Sequence, residues 1–494
     1  MVQLSDYRDE RLRKLSEIKS RGIDPYPAKS NRDTKIGNIN DNFDELNGQT
    51  VTIAGRIVAI RSFGKLAFIK VRDYTGEIQI FMKKEENEAP AGTFGVKDVK
   101  LLDSGDFIEA KGLVGKSQTG EISVFADAVR LLTKSLRPLP GRDGFNNKEE
   151  RYRRRYVDMN VNLEVRERMV RRSKFWQATR DFMNSHGFIE INTPVLEHTT
   201  GGADATPFIT HMDALDEDFY LRISQELPLK RLLGAGFEKV YDIGPRFRNE
   251  GVDDEHLPEH IAFESYSAYD NYEDGMELYE EMIKYVAKET WGTLEFDVGG
   301  FHINLDQKWP HIKYSELLKE KYNVDVFNPD REQLKTILLS EWKAEDMSKA
   351  AFEKKLDEMS TAHLIDNVWK LIRKTSAGPY WLIEEPLSLS PLAKVVPENP
   401  LVTQRFHPII AGTEMGNGYS ELNDPLDQLE RFKEQQALRD AGDSEAQMLD
   451  EDFVEMLEYG MPPACGWGNS ERNFWLLEGV SGREGVPFPI IKSK

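Results

Sequence analysis

The chain has 494 residues, with 65 Lys or Arg and 85 Asp or Glu, so its formal net charge is −20 at pH 7. A hydrophobic fraction of 39% and an aromatic fraction of 10% exclude a wholly disordered protein, and the length suggests two to four domains. The single cysteine, Cys465, excludes an internal disulfide and a cysteine zinc site, and because no long apolar run or apolar N-terminus is present, we expect a cytoplasmic protein.

The net charge is divided unevenly along the chain. Residues 1–160 contain 29 basic and 24 acidic residues, whereas residues 161–494 contain 36 basic and 61 acidic residues. Only the first segment is therefore electrostatically suited to a polyanion such as a nucleic acid.

A charged helix is predicted over residues 6–22, and it ends at Gly22 because Pro25 and Pro27 follow. From Thr50 onward the hydrophobic period changes to two. The runs with this period are VTIAGRIVAIR, LAFIKVRD, EIQIFMKK, DFIEAKGLVG and EISVFADAVRLL. Five short strands with glycine-containing turns and a net positive charge favour a small barrel of the OB type. A small β-barrel with no nucleic-acid function is the alternative.

A stiff linker with two prolines, residues 136–141, and a basic run, residues 151–156, follow the barrel. The next predicted elements are a helix over 163–186 that ends at Gly187, a strand over 188–197 with alternation as far as Pro194, and a helix over 272–290. Residues 310–375 are predicted to be mostly helical, with the role of a peripheral insertion.

A long antiparallel hairpin with a polar loop is predicted over residues 237–270. Alternation places Arg248 with Glu250, and Glu264 with Tyr266, on shared strand faces. Charged residues in apolar strands are costly unless they are paired or bind a ligand. A structural ion pair between Arg248 and one of these acids is the alternative to a ligand site.

A second polar strand is predicted over residues 412–424. Alternation places Met415, Asn417, Tyr419 and Glu421 on one face, and the other face carries two glycines at 416 and 418. Glycines weaken a strand, so we expect them where a ligand approaches closely.

Glu226, Glu264 and Glu421 form a candidate binding set. Three acids around one ligand repel each other unless a cation is present, so their grouping indicates a metal ion or an ammonium group. Their proximity in space is a hypothesis at this point.

Several ordered motifs resemble those of bacterial-type class II lysyl-tRNA synthetases. FIEINTPVLE, with Pro194, resembles motif 1 of class II synthetases, and PRFRNEGVDDEHLPEH resembles motif 2. The stretches RYRRRYVD, GGADATPFIT, LRISQELPLKRLL, SPLAK and GNGYSELND resemble lysyl-type signatures. Any one match is weak, but so many in order make a chance resemblance improbable.

The resemblance implies an α+β architecture: a five-stranded OB-fold barrel followed by a class II catalytic domain, whose six-stranded antiparallel sheet is flanked by helices. The implied divisions are a helical extension (1–45), an anticodon-binding domain (46–140) and a catalytic domain (141–494) with the helical insertion (310–375). It also implies a homodimer formed through residues 163–197. The implied reaction joins lysine and ATP into lysyl-adenylate, with release of pyrophosphate, and transfers the lysyl group to tRNA(Lys).

The resemblance also assigns residues to the substrates. The residues implied to bind lysine are Gly202, Glu226, Arg248, Glu264, Tyr266, Asn417, Tyr419 and Glu421. Those implied to bind ATP are Arg248, Glu250, His256, His260, Glu414 and Arg472. Arg248 and Arg472 are the implied catalytic residues, and Glu414 the implied Mg²⁺ ligand. The residues implied to read the anticodon are Arg61, Phe68, Gln79 and Glu121.

Three positions depart from the family pattern. Motif 3, GWGNSER ending at Arg472, is one residue short and has Ser470 in place of a glycine. His407 replaces an acidic magnesium ligand, which leaves a second metal in doubt. His260 replaces the aromatic residue that stacks on adenine.

Two other classes of function are compatible with parts of this sequence. A synthetase for aspartate or asparagine would keep the fold, but the anionic set opposes aspartate, which requires a cationic pocket. An inactive tRNA-binding paralogue is favoured by the altered motif 3 and opposed by the retention of Arg248, Glu414 and Arg472. A paralogue that lysylates a protein is expected to lack the N-terminal barrel.

Overall fold

The structure is a computed structural model that describes residues 4–83, 89–141, 145–203, 205–251, 253, 256–343, 348–441 and 446–493. Parts of four predicted features lie outside the described residues: Lys84, Asp204, three residues of the motif 2 loop (Val252, Asp254 and Glu255), and 344–347. The chain forms two compact units, Met1–Asn147 with Tyr156–Val161, and Lys148–Arg155 with Asn162–Lys494. Among the described residues, no helix has both the length and the apolar character needed to span a bilayer.

The first unit contains three helices in its described residues before the strands begin. They are α1 (Leu4–Ser20), α2 (Ile36–Asp41) and α3 (Phe43–Leu46). The predicted N-terminal helix is confirmed as α1, and Gly22 adopts a positive φ of 72° just after it, a conformation that glycine tolerates best.

The predicted β-rich runs of this unit form strands. These are β1 (Thr50–Phe63), β2 (Leu66–Arg72), β3 (Glu77–Lys83), β4 (Phe107–Lys116), β5 (Ile122–Phe125) and β6 (Val129–Thr133). Pairing follows the order β1-β2-β3-β5-β4-β6, and β4 also pairs with β1. Apolar residues that alternate along these strands, such as Ile53, Ile69 and Ile80, are buried together.

The fifth β-rich run forms two strands instead of one. Ala126 donates its N–H to the carbonyl of Phe81 on β3, at 3.0 Å, so the chain leaves β4 after β5. It returns to β4 as β6, where Val129 pairs with Ala110. The interruption follows from cross-strand pairing, which residues 121–132 alone do not specify.

The second unit contains, in its described residues, one large mixed sheet and three smaller sheets. Its strands are β7 (Ile189–Glu190), β8 (Leu196–Glu197), β9 (Ile209–Met212), β10 (Glu217–Leu221), β11 (Lys239–Phe247), β12 (Glu259–Ala268), β13 (Glu295–Val298), β14 (Phe301–Asn304), β15 (His311–Lys313), β16 (Tyr380–Ile383), β17 (Val395–Val396), β18 (Asn399–Thr403), β19 (Arg405–Ile410), β20 (Thr413–Glu414), β21 (Asn417–Ser420) and β22 (Ala464–Ser470).

The described residues after α3 also form helices. They are α4 (Lys148–Arg153), α5 (Arg155–Val161), α6 (Leu163–Ser185), α7 (Glu226–Gly234), α8 (Tyr272–Trp291), α9 (Tyr314–Tyr322), α10 (Arg331–Ser340), α11 (Lys349–Glu358), α12 (Thr361–Arg373), α13 (Pro425–Asp440), α14 (Glu451–Tyr459), α15 (Arg472–Glu478) and α16 (Gly482–Gly485).

The main sheet has the order β15-β16-β19-β21-β22-β12-β11-β7, and β20 pairs with β19. From β16 to β11 every neighbouring pair is antiparallel, which confirms the expected six-stranded antiparallel sheet. The edge strands β15 and β7 pair in parallel, so the complete sheet is mixed. Its core includes Phe175 of α6, Met282 of α8 and Trp467 of β22.

The predicted hairpin is confirmed as β11 and β12, which pair from Lys239 with Ser267 to Phe247 with Glu259. The predicted strand over 188–197 is wrong in its middle, because only β7 and β8 form. Between them the side chain of Asp242 accepts from Thr193 Oγ1 at 2.8 Å, and Pro194 has no N–H to donate to a ladder.

The predicted strand over 412–424 is also interrupted, between β20 and β21. The N–H of Met415 bonds to the carbonyl of Pro408 at 2.9 Å, in the register that pairs β20 with β19. Pro408 has no N–H to return the bond, so the regular ladder stops at this pair. The predicted helical character of residues 310–375 is confirmed by α9 to α12. Apolar residues of these helices, such as Leu318 and Trp369, pack with Leu382 of β16.

Candidate active site

A cavity of about 340 Å³ opens in the second unit, above β12, β21 and β22. Most of the predicted substrate residues line it: Gly202, Glu226, Arg248, Glu250, His256, His260, Glu264, Tyr266, Glu414, Asn417, Tyr419 and Arg472. Neither Glu421 nor His407 belongs to the described lining, and both are buried behind it.

Arg248 lies just beyond β11 and not within a strand, so the expected shared strand face with Glu250 is wrong. Its N–H bonds to the carbonyl of Pro258 at 2.9 Å, which holds the start of the loop against its return. Burial lowers the pKa of Arg248 to about 10, with Arg246 adding to the effect, so the guanidinium stays cationic at neutral pH.

The structural ion pair considered for Arg248 is made instead by Arg246. Its guanidinium donates to Glu264 Oε1 at 2.8 Å, from a position directly across the hairpin from His260. Sequence reasoning missed Arg246, although its place two residues before Arg248 on an alternating strand was a usable signal.

Glu264 is a buried residue that lines the cavity. It accepts hydrogen bonds from Ser224 Oγ at 2.7 Å and from the hydroxyl of Tyr266 at 3.2 Å, besides the bond from Arg246. Burial raises the pKa of this carboxyl above its ordinary value. The grouping of Glu264 with Tyr266 agrees with their predicted shared face.

Glu226 and Glu421 lie on either side of a lysine that sequence reasoning missed. Lys230 Nζ donates to Glu226 Oε1 at 2.5 Å and also pairs with Glu421 Oε2. Tyr419 donates its hydroxyl to the same Glu226 oxygen at 2.5 Å. The acids predicted to need an external cation therefore already share an internal one. The spacing of Glu226 and Lys230 on one helix was a signal for half of this arrangement.

Gly202 packs closely against this cluster. It adopts a φ of +80°, and a Cβ at this position would lie 2.7 Å from the Cβ of Glu226 and 3.0 Å from Ser224 Oγ. Only glycine satisfies both the backbone conformation and the close approach. The peptide of Gly202 is thereby brought to the cavity wall beside Glu226.

Asn417 is oriented by a second missed residue, Arg405. The Arg405 Nε–H donates to Asn417 Oδ1 at 2.8 Å, and the guanidinium also pairs with Glu385 at 2.6 Å. Because the amide oxygen is already bonded, the NH₂ group of Asn417 is the end suited to an anionic ligand.

Two histidines, His256 and His260, also line the cavity. Burial and the nearby Arg246 and Arg248 lower the pKa of His260 to about 3, so its imidazole is neutral. Its Nδ1 lies 3.2 Å from the carbonyl of Leu257, which fixes the ring. His256 is exposed, and its Nε2 lies 3.4 Å from Nη2 of Arg472.

Glu414 and His407 form an ion pair beside the cavity. His407 Nδ1 lies 2.9 Å from Glu414 Oε1 and His407 Nε2 lies 3.4 Å from Glu385 Oε2. Burial opposes the charged imidazole, but Glu414 and Glu385 raise the pKa of His407 to about 9. The same contact, together with Arg373, holds the pKa of Glu414 well below its usual range. In the described part of the chain, no group of three or more His, Cys, Asp or Glu residues is arranged to hold a metal ion.

Gly416 and Gly418 differ in their surroundings. Gly416 lies just before β21 and lines the cavity, in agreement with the sequence interpretation, and a Cβ on it would meet the carbonyl of Gly468 at 2.7 Å. Gly418 lies within β21 and serves packing, because a Cβ there would collide with Phe406 and Trp467. A different glycine, Gly466, borders the acidic cluster, since a Cβ there would collide with Glu421 Oε1 and Tyr266.

The predicted anticodon residues lie on one face of the first unit. Arg61 pairs across strands with Phe68, and Phe68 with Phe81. Gln79 shares the face of Phe81, and its amide donates to Ser123 Oγ at 3.0 Å, next to Glu121 at the start of β5.

An aromatic row that sequence reasoning missed crosses this face. The ring centroids of Phe68 and Phe81 are 5.1 Å apart, and those of Phe81 and Phe125 are 5.2 Å apart. All three rings are half-buried. Strands β2, β3 and β5 therefore each expose part of one aromatic ring to solvent.

Residues 147–492 match the family model described as tRNA synthetases class II (D, K and N), and residues 51–132 match an OB-fold nucleic acid binding domain. The chain is 41% identical over 501 residues to the "Lysine--tRNA ligase" of Thermotoga maritima, with 99% of this chain and 97% of the relative covered. It is 42% identical over 496 residues to that of Carboxydothermus hydrogenoformans, with 100% and 99% covered. For Fervidobacterium nodosum the identity is 41% over 497 residues, with 99% and 94% covered.

Proposed function

Because the chain belongs to the class II tRNA synthetases of the aspartate, lysine and asparagine group, we propose that its cavity binds lysine and ATP as substrates for one ligation reaction. The enzyme is a lysine–tRNA ligase, which makes lysyl-adenylate and transfers the lysyl group to tRNA. The buried carboxylates of Glu226, Glu264 and Glu421 carry the choice of lysine over aspartate, because an anionic side chain would be repelled there.

The proposed position of lysine runs from Arg248 to Glu421. The planar, always-charged fork of Arg248 pairs with the lysine carboxylate, and the NH₂ group of Asn417 donates to it. Gly202 and Glu226 hold the α-ammonium. The aliphatic stem lies along Tyr419, and the ε-ammonium reaches Glu421 and Tyr266, with Glu264 in support.

Adenylate formation is an in-line attack of the lysine carboxylate on the α-phosphate of ATP. A carboxylate is already a nucleophile at neutral pH, so positioning and neutralisation of charge account for the catalysis. Arg248 contacts both reacting anions, and Arg472 neutralises the leaving phosphates from the other side. Glu250 and His256 bind the nucleotide, and the neutral ring of His260 stacks on adenine.

Glu414 is suited to act as a ligand of one Mg²⁺ ion. It lines the cavity and is ionised, and Mg²⁺ takes one or two carboxylates together with substrate phosphates. The ion supplies charge neutralisation on those phosphates when it is bound. His407 does not fit as a second ligand, because both of its ring nitrogens face carboxylates and its raised pKa keeps them protonated.

We propose that the anticodon of tRNA(Lys) binds to residues 46–140. Phe68 stacks on one splayed base, Gln79 and Glu121 bond to base edges, and Arg61 bonds to a base edge or a phosphate. The match of residues 51–132 to a nucleic-acid-binding OB fold supports this assignment.

A homodimer through residues 163–197 is part of the proposal. Apolar side chains remain exposed in this segment, with Val170 at 45%, Ile189 at 53% and Leu196 at 40% of their surface. Burial of such residues against a second copy would remove this apolar surface from water. The proposed setting of the reaction is the cytoplasm.

Amino-acid-dependent exchange between ATP and pyrophosphate tests the proposed reaction. We expect exchange with lysine and with none of the other standard amino acids at comparable concentration. Absence of exchange with every amino acid would remove the assignment of an active enzyme, and exchange with aspartate alone would remove lysine.

Glu421→Gln tests the proposed position of the ε-ammonium. We expect the KM for lysine to rise by about tenfold or more while the KM for ATP stays nearly constant, because a charge-assisted bond to the ammonium is lost. The measurement is the exchange rate as a function of each substrate. Equal increases in both KM values would show that Glu421 is not an ammonium ligand.

A further inference from the structure

Lys230 is a buried cation for which the proposed mechanism has no step. Its side chain has no exposed surface, and its Nζ pairs with Glu226 of the same helix and with Glu421 beyond β21. The Nζ also lies 5.3 Å from the ring centroid of Tyr419 and 5.9 Å from that of Phe453. A fully buried ammonium persists only with such compensation.

The pairing fixes which oxygen of Glu421 faces the substrate. Lys230 takes Oε2, whereas Oε1 has no hydrogen-bond partner among the described residues although Glu421 is only 1% exposed. That oxygen lies against Gly466, which lines the cavity: a Cβ on Gly466 would collide with Glu421 Oε1 and with the ring of Tyr266. We name this part of the cavity, which Gly466 and Tyr266 line and behind which Glu421 lies, the Gly466 slot.

The buried carboxylates around the slot outnumber the cations that pair with them. Glu264 is paired with Arg246, and among the described residues the cation paired with both Glu226 and Glu421 is Lys230. One negative charge of that pair therefore remains for a ligand. Without Lys230, two adjacent carboxylates would share no cation, and like charges in a buried site cannot both stay ionised. Burial raises the pKa of Glu421, and the charge of Lys230 opposes that rise and favours the ionised carboxylate.

We propose that Lys230 is a positioning residue that determines the specificity of the lysine pocket, an inference that rests on the proposed function. Lys230 acts as an internal counter-ion: it holds Glu421 with Oε1 turned toward the Gly466 slot and keeps that carboxylate ionised. The slot then accepts one ammonium group at the length of a lysine side chain. Lys230 itself does not touch the substrate.

Lys230→Met in the full chain removes the charge but keeps an unbranched stem of similar length. We expect the KM for lysine in pyrophosphate exchange to rise about tenfold or more, and the KM for ATP to change by less than about twofold. An unchanged KM for lysine would overturn the proposal. Lysine-dependent exchange by the parent enzyme is measured alongside, and its absence would instead refute the proposed function.

Lys230→Ala with added propylammonium separates charge from volume. Propylammonium replaces the missing carbons and the ammonium, so we expect it to lower the KM for lysine toward the parent value. The neutral isostere 1-propanol should not do so. Equal rescue by both compounds would show that Lys230 only fills space, and would overturn the proposal.

The double variant Lys230→Met/Glu421→Gln remains informative where a single variant fails to fold, because it leaves no unpaired charge between these two positions. If Lys230 acts through Glu421, the KM for lysine of the double variant equals that of Glu421→Gln alone. A further increase of the same size as that of Lys230→Met would mean that the two residues act independently, contrary to the proposal.

Discussion

At the scale of single residues, His407 shows how a substitution changes the chemistry of a site without opening a cavity. Its imidazole lies between Glu385 and Glu414, and both contacts use ring nitrogens. An acid at this position could bind a metal ion, whereas a protonated imidazole occupies the same surroundings as a cation. The arrangement neutralises charge with a protein side chain.

This ion pair makes a prediction about stability and pH. The folded-state pKa of His407 is raised to about 9 from its ordinary 6.5, so its stabilising contribution is complete below pH 6.5. That contribution, at most about 3 kcal/mol, is lost as the pH rises through 9. Relative to the parent, His407→Gln should lower the free energy of unfolding at pH 6 more than at pH 9.5, as measured by denaturant titration at both pH values.

His302→Gln is the matched control for this measurement. His302 also pairs with a carboxylate, Asp297 at 2.8 Å, but its imidazole is exposed and screened by water. The hydrogen bond to Asp297 raises the pKa of His302, but because the pair is exposed we expect a much smaller difference between the two pH values than for His407→Gln. A His407→Gln variant that loses the same stability at both pH values would contradict the assigned charge.

At the scale of elements, strands β2, β3 and β5 together form an aromatic face that no single strand contains. Phe68, Phe81 and Phe125 occupy one row across these strands, because the pairing register aligns them. A row of aromatic rings suits stacked, unpaired bases. Glu121 and Gln79 lie on the same face and can bond to base edges.

Phe68→Ala and Phe125→Ala test this face. Loss of stacking costs about 1–3 kcal/mol per base, so kcat/KM for tRNA in the charging reaction should fall roughly fivefold to a hundredfold. Pyrophosphate exchange should not change, because it needs no tRNA. Both rates are measured on the same preparation.

Tyr74→Ala serves as the control, since Tyr74 is an aromatic residue with 65% of its surface exposed that lies in the turn between β2 and β3. It should leave both rates near the parent values. A parallel loss of exchange in Phe68→Ala would identify a structural role for that ring.

At the scale of the whole molecule, the net charge of −20 is distributed unequally between the N-terminal and C-terminal parts of the chain. The N-terminal 160 residues are mildly basic and the remainder is strongly acidic. Much of that acid is solvated surface, but Glu226, Glu264 and Glu421 are buried and assigned to a cationic substrate. We therefore expect attraction of the polyanionic tRNA to depend mainly on the first unit.

The dependence of charging on salt concentration measures this partition. Removal of one phosphate contact should reduce the slope of log(kcat/KM for tRNA) against log[salt] by about 0.7–0.9, so Arg61→Gln should give a shallower slope. Lys319→Gln, on an exposed position of α9 in the acidic unit, should leave the slope unchanged. Equal slopes for Arg61→Gln and the parent enzyme would contradict a contact between Arg61 and phosphate.

Local sequence determined the elements and much of the candidate site. The period of two in β2 and β12 and the spacing of apolar residues in α8 predicted their structure, because each pattern depends on residues a few positions apart. The start of α8 is specified equally locally, by the capping box between Asn271 and Asp274. Ordered motifs then identified most of the residues that line the cavity.

Only the tertiary structure decided which charges meet. Lys230 was visible four residues after Glu226, but Glu421 is supplied by a distant segment that packs against the same helix. In the same way, Glu264 pairs with Arg246 and not with Arg248, and Gly418 of β21 accommodates Phe406 and Trp467. Local patterns fix periodicity and conformation, whereas the partner of a buried charge depends on which elements pack together, and that packing sets the lysine pocket.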